Sequence, residues 1–177
     1  MRISVVVTTY NGKMHLEKQL LSLLQQERAP DEVLIFDDGS TDGTIELVQS
    51  FIRKNCLESW QFYVNAKRKG WKQNFMEGLR KAAGDILFPC DQDDIWYPKK
   101  LAEMTAVMEQ HPEIKLLACD YRVLYEPGAL KATVYKKTPA ETQGLITRYG
   151  FTKHFLCLPE RIIEECRSQL LLQLPVQ

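Results

Sequence analysis

The sequence predicts a single α/β domain with a mostly parallel central sheet flanked by helices. Short β-branched runs alternate with apolar stripes of helical spacing through the first 120 residues, which is typical of β-α-β units. Polar, turn-forming residues follow several of the apolar runs, as expected where parallel strands end at one edge of a sheet. A length of 177 residues, with 45% hydrophobic and 26% charged residues, suits one core of ordinary composition.

The first two strands are predicted at Ile3–Thr8 and Glu32–Phe36, because both runs are apolar and rich in branched side chains. Leucines at helical spacing between them predict a helix over about 13–26. Turn-forming residues follow the second strand over 37–43, and Asp42 among them is suited to cap the next helix. The apolar stripe of that helix consists of Ile45, Val48, Phe51 and Ile52.

The later elements continue this alternation. Trp60–Val64 is aromatic and β-branched enough for a third strand, and Gly84 is expected to close the helix after it. A fourth strand is predicted at Asp85–Cys90, with a bend or a ladder break at Pro89, because proline has no N–H to donate. Pro98 suits the first position of a fourth helix. Three further elements are expected: a strand at Ile114–Cys119, a short strand at Thr133–Tyr135 and a helix over Pro159–Leu172.

Charge and cysteine content exclude several classes of function. The chain has 23 basic and 23 acidic residues, so no overall field attracts nucleic acid, and no nucleic-acid partner is predicted. The five cysteines are widely spaced without a Cys-x-x-Cys pair, which favours reduced, mostly buried thiols over a zinc site or a disulfide framework. No apolar run approaches the ~20 residues of a membrane span, and the start lacks a signal-peptide pattern, so a cytoplasmic protein is predicted.

Polar clusters follow three of the predicted strands. In open α/β sheets the ligand crevice lies beyond the carboxyl ends of the parallel strands. The predicted fold therefore brings the clusters together at one edge, where we expect a ligand site. They are Thr8-Thr9-Tyr10-Asn11, Asp37-Asp38-Gly39-Ser40 and Asp91-Gln92-Asp93-Asp94.

The third cluster has the most specific chemistry. Asp91 and Asp93 stand on one turn, so both carboxylates can face one hard cation. Mg²⁺ and Mn²⁺ prefer oxygen ligands, and Mg²⁺ usually takes one or two carboxylates together with substrate phosphate oxygens. The alternative is an acidic turn in which Asp94 caps the next helix, which is the commoner meaning of an isolated Asp-x-Asp. The position directly after an apolar strand favours the metal site.

The other candidates also have two interpretations. Asp37 or Asp38 can accept hydrogen bonds from a nucleobase imide or a ribose hydroxyl, yet a strand-to-helix turn requires such residues anyway. The basic loop over 67–70, including Lys69, can help to hold a diphosphate, although surface charges are usually only solvated. Asn74 can bond a base edge or cap the loop.

Several nucleotide-binding families are excluded by their motifs. The turn after the first strand has no Gly-x-Gly-x-x-Gly, which excludes a dinucleotide-binding oxidoreductase. A Gly-x-x-x-x-Gly-Lys-Ser/Thr loop is also missing from the sequence, which excludes the P-loop NTPases. A phosphoacceptor signalling domain fits the length, but such domains have acidic residues after the first strand where this chain has two threonines.

Taken together, six motifs resemble the nucleotide-sugar-dependent family 2 glycosyltransferases, which have the Rossmann-like fold called type A. The resemblance in order and spacing covers residues 1 to about 120, and the last motif is similar to bacterial rhamnosyltransferase-like enzymes of surface polysaccharide synthesis. The motifs are Val5-Val6-Val7-Thr8-Thr9-Tyr10-Asn11-Gly12, Leu20-x-Ser22-Leu23-x-x-Gln26, Glu32-Val33-x-Ile35-x-Asp37-Asp38-Gly39-Ser40-Thr41-Asp42, Gly70-x-x-x-Asn74-Phe75, Ala83-Gly84-Asp85-Ile86 and Asp91-Gln92-Asp93-Asp94-Ile95-Trp96-x-Pro98-x-Lys100-Leu101.

The resemblance implies a division of roles within one domain. Residues 1–120 would be the nucleotide-sugar-binding half, and residues 121–177 a short or incomplete acceptor-side portion. Asp38, or its neighbour Asp37, would contact the base of a uridine or thymidine diphosphate sugar. Asp91 would contact the ribose and the metal region, and with Asp93 it would hold Mn²⁺ or Mg²⁺ at the diphosphate. The nucleotide-sugar-binding residues would be Thr8, Thr9, Tyr10, Asp37, Asp38, Lys69, Asn74, Asp91 and Gln92.

The resemblance also implies the reaction and its partners. A hydroxyl of a glycan or lipid-linked acceptor would be deprotonated by a carboxylate and attack the anomeric carbon, opposite the departing nucleoside diphosphate, with inversion. Synthesis of surface polysaccharide would bring a transient association with the inner face of the membrane.

The acceptor side departs from the family pattern. Family members usually place the catalytic base in a Glu-Asp or His-Asp pair after a segment resembling Phe155–Arg161, and this chain has no such pair after Asp120. The catalytic residue is therefore unassigned. Two hypotheses stay open. The first is a glycosyltransferase whose base is unrecognised or lies in a portion absent from this sequence, and the second is a nucleotide-sugar-binding module that does not transfer by itself. A decayed interaction domain, the further alternative, would bind no nucleotide.

Overall fold

Strands and helices alternate along the part of the chain that the computed structural model describes, residues 1–112 together with 117 and 119. The predicted strand at Ile114–Cys119 falls mostly outside these residues, and the elements predicted at Thr133–Tyr135 and Pro159–Leu172 lie wholly outside them. The bounds are β1 Ile3–Thr9, α1 Lys13–Leu24, β2 Glu32–Asp37, α2 Thr44–Lys54, β3 Trp60–Val64, α3 Trp71–Lys81, β4 Ile86–Asp91 and α4 Lys100–Gln110.

The four described strands form one parallel sheet in the order β3-β2-β1-β4. The chain moves in one direction from β1 to β3 and then returns past β1 to form β4. Right-handed crossovers therefore put α1 and α2 on one face of the sheet and α3 on the other. This arrangement confirms the predicted class, a mostly parallel sheet between helices.

The two central strands form the core. Every residue of β1 and β2 is buried, because helices cover both faces of the sheet and leave no side chain of these strands in water. Helix α3 packs closely on the sheet at Gly78, where a Cβ would collide with Val6 and press on the Phe36 ring. This centre is the rigid platform from which the strand ends project.

Glu32 joins three segments at the amino ends of the strands. Its carboxylate accepts hydrogen bonds from the Ser4 hydroxyl and, at 2.5 Å, from the Ala83 N–H. The Gly84 N–H donates to Ser4 Oγ at 2.7 Å, and a Cβ on Gly84 would collide with Ser4. Since α3 ends at Lys81, the prediction that Gly84 closes this helix is wrong; the glycine allows the close approach to β1.

Pro89 does not interrupt β4, contrary to the prediction. The register with β1 runs without a slip from the Ile3–Ile86 pair to the Thr8–Asp91 pair. In a parallel sheet each residue donates its N–H towards one neighbour only, so a proline in this strand need not remove a bond to β1.

The fourth helix begins two residues later than predicted, at Lys100 and not at Pro98. The Pro98 carbonyl accepts a hydrogen bond from the Glu27 N–H at 2.8 Å, and the Lys100 N–H donates to the Tyr97 carbonyl at 3.0 Å. These two bonds fix a turn ahead of α4 and attach it to the end of the α1 segment.

The described sheet belongs to a compact unit over Met1–Glu109, and a second unit spans Gln110–Gln177. The predicted division at residue 120 into a nucleotide-binding and an acceptor part stays a prediction. No described helix has the length and apolar character needed to cross a membrane. Of the three cysteines in the described part, Cys90 is buried, Cys119 is partly buried and Cys56 is exposed.

Candidate functional site

The predicted polar clusters meet at the carboxyl edge of the sheet. Thr9 pairs in register with Asp37 on one side of β1, and Thr8 pairs with Asp91 on the other side. Asp37 also pairs with Val64 of β3, so the ends of all four described strands lie in one row. The sheet therefore brings the acids after β2 and β4 to either side of the end of β1.

Hydrogen bonds connect the loop after β1 to the loop after β2. Asn11 has a φ of 48°, and its side-chain oxygen accepts the Thr41 N–H at 2.9 Å while its own N–H donates to Ser40 Oγ at 2.8 Å. Asp42 accepts the Lys13 N–H at 3.1 Å and the Thr44 N–H at 3.0 Å. One carboxylate thus accepts donors at the starts of α1 and α2. The prediction that Asp42 occupies the capping position of α2 is wrong, because that position is Gly43, one residue later.

Asp37 is fully buried, and both oxygens of its carboxylate accept hydrogen bonds from other groups of the protein. Oδ1 accepts the backbone N–H groups of Gly39 and Ser40 at 3.0 and 2.7 Å. Oδ2 accepts the hydroxyls of Thr9 and Ser40 at 2.7 and 2.6 Å. Two lone pairs on each oxygen are therefore occupied, and no acceptor position is left for a ligand.

Asp38 is also buried, with 3% of its surface exposed, but it retains acceptor capacity. Oδ1 accepts the Asn65 side-chain amide at 3.0 Å and the Lys69 N–H at 2.7 Å, whereas Oδ2 accepts only the Gly70 N–H, at 2.8 Å. Burial raises the pKa of Asp38, but these hydrogen bonds and the charge of Arg68 outweigh it, and the pKa lies below its ordinary value. The carboxylate is ionised at neutral pH and has one lone pair to offer.

Asn74 and Lys69 support Asp38. The Asn74 side chain is 1% exposed; its amide donates to the Phe36 carbonyl at 2.8 Å, and its oxygen accepts the Asn65 amide at 2.8 Å. Lys69 reaches Asp38 through its backbone N–H, while its ammonium group pairs with Glu77. Both predicted residues lie at the site, and their described contacts hold the loop and Asn65 in place.

The ring of Tyr10 lies beneath the guanidinium group of Arg68, which also approaches Asp38. The central carbon of this guanidinium is 3.9 Å from the ring centroid. Arg68 Nε also stands 4.0 Å from Asp38 Oδ2. Tyr10 is 37% exposed, so the aromatic surface is accessible around the guanidinium.

Gln92 attaches the loop after β4 to the end of β1. Its side-chain oxygen accepts the Tyr10 N–H at 2.9 Å, and its amide donates to the Tyr10 carbonyl at 3.3 Å. A Cβ at Gly12 would meet the end of this side chain and displace it from Tyr10. Gln92 therefore sets the distance between Tyr10 and the acidic loop, which consists of residues 91–94.

The acidic loop is electrostatically strained. Burial, together with the charges of Asp94 and Asp93, raises the pKa of Asp91 to about 6, and burial with Asp93 likewise raises the pKa of Asp94 despite Lys100. Asp93 is exposed, and Asp91 and Asp94 are partly buried. In the described part of the chain, no group of three or more His, Cys, Asp or Glu side chains is arranged to hold a metal by itself. Repulsion among these carboxylates would fall if a cation bound.

The sequence predictions missed two residues of this site. Asn65 donates to both Asp38 and Asn74, and only its position directly after β3 could have indicated this role. Arg68 was visible only as one of several charges in a basic loop, and its stacking on Tyr10 depends on the spatial approach of two loops.

The comparison with known families decides the ancestry of the chain. The sequence profile described as Glycosyl transferase family 2 matches residues 4–154. This chain belongs to glycosyl transferase family 2. The resemblance in motifs is thereby confirmed at the level of the family.

Two curated relatives are similar to this chain in sequence over most of its length. The chain is 31% identical over 154 residues to poly(ribitol-phosphate) beta-N-acetylglucosaminyltransferase TarS of Staphylococcus aureus, covering 86% of this chain and 26% of TarS. It is 31% identical over 137 residues to a glycosyltransferase of Mycoplasma pneumoniae, covering 76% of this chain and 46% of the relative. The chain thus spans less than half the length of either relative.

Solved structures agree with the fold. Staphylococcus aureus TarS 1–349 in complex with UDP matches with a TM-score of 0.63 and 26% identity, over 77% of this chain and 40% of that one. The mannosyltransferase PcManGT of Pyrobaculum calidifontis, in complex with GDP-Man and Mn²⁺, matches with a TM-score of 0.63 and 27% identity, over 68% of this chain and 36% of that one.

Proposed function

We propose that this chain is the donor-binding part of a glycosyltransferase that moves a sugar from a UDP- or dTDP-sugar to an acceptor hydroxyl. Membership of the family supports the reaction class. One observation carries the proposal: the carboxyl edge of the sheet has a hydrogen-bond acceptor at Asp38 Oδ2 and, across β1, an acidic loop at 91–94. A nucleoside diphosphate matches both groups. Its base can form a hydrogen bond with Asp38, and its phosphates can share a cation with the acidic loop.

Asp38 is the residue that we assign to the base. Its ionised Oδ2 can accept one hydrogen bond, as from the imide N–H of uracil or thymine, and Tyr10 supplies an adjacent aromatic surface. Asp37 has no such capacity, because its four acceptor positions serve the turn and β1. We therefore assign Asp37 a positioning role, with Thr8 and Thr9 forming the strand end beneath the nucleotide.

Asp91 and Asp93 fit a divalent cation in donor chemistry. Their carboxylates are the hard oxygen ligands that Mn²⁺ and Mg²⁺ prefer. Burial, together with the negative charges of Asp94 and Asp93, raises the pKa of Asp91, and a bound cation would offset both effects. Diphosphate oxygens would complete the coordination, since these two carboxylates alone do not. When bound, the cation would stabilise the negative charge of the leaving diphosphate. The structure of PcManGT in complex with GDP-Man and Mn²⁺ supports this assignment.

The transfer itself requires a base that we leave unassigned. Inverting displacement needs a carboxylate or imidazole that removes the proton of the acceptor hydroxyl as it attacks the anomeric carbon. For the acceptor we propose a glycan or lipid-linked glycan of a cell-surface polymer, at the cytoplasmic face of the membrane. The name of TarS, which specifies a poly(ribitol-phosphate) acceptor, supports a surface polymer, and a rhamnosyl donor remains the proposal from the sequence motifs.

Calorimetry with uridine and thymidine diphosphates, with and without Mn²⁺, tests the donor site. We expect Mn²⁺ to strengthen binding to the wild type and Asp93→Ala to lose this gain while it keeps the metal-independent affinity. The matched control Glu17→Ala removes an exposed carboxylate of α1 and should keep the metal-dependent gain. Equal gains in wild type and Asp93→Ala would remove Asp93 from the site.

The second candidate is a nucleotide-sugar-binding module without transferase activity. The absence of a Glu-Asp or His-Asp pair after Asp120 favours it. Both candidates bind nucleoside diphosphates, so the distinguishing measurement is release of UDP or dTDP from the corresponding nucleotide sugars in the presence of glycan acceptors. Release that depends on the acceptor identifies a transferase, and binding without release identifies the module.

A further inference from the structure

Helix α1 and the residues directly after it carry three buried polar side chains. These are Gln19, Ser22 and Gln26, at helical spacings of three and four. An apolar residue is the ordinary choice at such positions, because a buried polar group costs free energy unless it is hydrogen-bonded. Ser22 and Gln26 also belong to one of the six sequence motifs, and the site described above gives them no role. Their hydrogen-bond partners therefore indicate what these positions do.

The partners of Gln19 and Ser22 lie on either side of the acidic loop. The Gln19 amide donates to Cys90 Sγ at 2.8 Å, directly before Asp91. The Ser22 hydroxyl accepts the Trp96 N–H at 3.0 Å, just after the loop, and donates to the Gln19 carbonyl at 2.7 Å. Helix α1 thus contacts the chain where it enters the acidic loop and again where it leaves it.

Gln26 joins three backbone segments through one side-chain amide. Its nitrogen donates to the Tyr97 carbonyl at 2.8 Å and to the Ser22 carbonyl at 2.9 Å. Its oxygen accepts the Leu101 N–H at 3.1 Å. Leu101 lies in the first turn of α4, where a backbone N–H has no acceptor within its own helix, so Gln26 supplies one. Gln26 thereby attaches the start of α4, and the segment that connects it to the acidic loop, to the end of α1.

The backbone of the acidic loop is weakly fixed from within. The Asp94 N–H reaches the Asp91 carbonyl at 3.4 Å, beyond the usual range of about 2.7–3.2 Å for such a bond. The negative charges of Asp91, Asp93 and Asp94 repel one another and favour a wider spacing when no cation is present. The hydrogen bonds from Ser22 and Gln26 oppose this spreading, because they attach the chain after the loop to a helix.

We propose that Gln26 is a positioning residue that preorganises the acidic loop for a divalent cation. This inference rests on the proposed function, because it assumes that Asp91 and Asp93 bind the cation. Gln26 acts through the backbone of residues 95–101, with Ser22 beside it, and not by contact with the cation. A loop that is already held in shape loses less conformational freedom when the cation binds, so the cation binds more tightly.

The test measures how much Mn²⁺ is needed to strengthen the binding of uridine diphosphate in wild type and in Gln26→Met. Methionine keeps the length of the side chain and removes its hydrogen bonds. We expect the Mn²⁺ concentration that gives half of the gain to rise about tenfold, as for residues that support a metal ligand indirectly. Affinity without metal should be unchanged, because Asp38 shares none of these contacts. The matched control Gln25→Met alters the neighbouring exposed glutamine and should leave the Mn²⁺ requirement unchanged.

The comparison with and without metal separates positioning from a general loss of structure. A partly unfolded variant would lose affinity for uridine diphosphate without metal as well, and its urea midpoint would fall to match. If Gln26→Met does not fold, Ser22→Ala takes its place, because it removes the bond to the Trp96 N–H and leaves Gln26 intact. That variant should raise the Mn²⁺ requirement about two- to tenfold, the contribution of one hydrogen bond.

Two results would overturn the positioning role. One is an unchanged Mn²⁺ requirement in Gln26→Met, and the other is an equal loss of affinity with and without metal. If wild type binds uridine diphosphate with no gain from Mn²⁺, the cation site of the proposed function fails, and this inference fails with it. A gain in wild type that needs no more Mn²⁺ in Gln26→Met refutes the positioning role alone.

Discussion

Replacing Asp91 with asparagine should stabilise the protein in the absence of metal. A pKa of about 6 in place of 3.8 corresponds to about 3 kcal/mol by which burial and the charges of Asp94 and Asp93 disfavour the ionised carboxyl. The side chain is partly exposed, and screening by solvent reduces the expected effect to about 1–2 kcal/mol. Asparagine keeps the shape of the side chain and removes the charge, so Asp91→Asn should gain this amount at pH 7.5.

The pH dependence of this gain identifies its cause. Because the folded-state pKa lies above the unfolded value of about 3.9, the neutral carboxyl stabilises the fold below about pH 4, and this contribution is lost as pH rises through about 6. The difference between Asp91→Asn and wild type should therefore vanish near pH 4 and be complete at pH 7.5.

The assay is urea denaturation of both proteins in chelator, at pH 4 and pH 7.5. Glu17→Gln makes the same charge change on the exposed face of α1 and should move the unfolding free energy by less than about 0.5 kcal/mol. Equal stability of Asp91→Asn and wild type at pH 7.5, or a gain of the same size at pH 4, would refute the idea that the acidic loop stores electrostatic strain.

Three further predictions concern the platform beneath the site. Asp37→Ala should lose about 2–4 kcal/mol in urea denaturation, because buried backbone donors of the turn after β2 lose their acceptor; a loss below about 0.5 kcal/mol would contradict the contacts described. Gly78→Ala should lower the free energy of unfolding by about 1–3 kcal/mol, because the added Cβ meets β1 and β2, and an unchanged melting temperature would contradict that packing. Burial raises the pKa of Asp42, but hydrogen bonds from Thr44 and Lys13 outweigh it, and the pKa is lowered. Its stabilisation is present above about pH 4 and is lost as pH falls through the lowered value, so Asp42→Ala should flatten the decline of stability between about pH 4 and pH 2; a decline as steep as in wild type would argue against this role.

The sequence predicted the sheet well because burial on both faces leaves a strong local signal. The continuous apolar runs of β1 and β2 and the leucine stripe of α1 are visible without any knowledge of their neighbours. The gathering of the acids after β2 and β4 at one edge also followed from topology alone, since parallel strands share their carboxyl ends.

The features that the sequence could not predict depend on contacts between distant segments. The difference between Asp37 and Asp38 lies in which donors reach each oxygen, and those donors come from β1, the turn after β2 and the loop after β3. The start of α4 at Lys100 depends on a bond from Glu27 to the carbonyl of Pro98, more than 70 residues away along the chain. Local propensity contains no information on either.

The central claim is that Asp91 and Asp93 hold a divalent cation that also binds the diphosphate group of the nucleotide. The base of the same nucleotide forms a hydrogen bond with Asp38. The most direct test is a crystal grown with uridine diphosphate and Mn²⁺, with the metal located by its anomalous scattering. The account predicts one manganese peak at about 2.0–2.2 Å from a carboxylate oxygen of Asp93, shared with diphosphate oxygens, and the uracil at Asp38. Manganese bound elsewhere, or a nucleotide seated away from the end of β1, would contradict it.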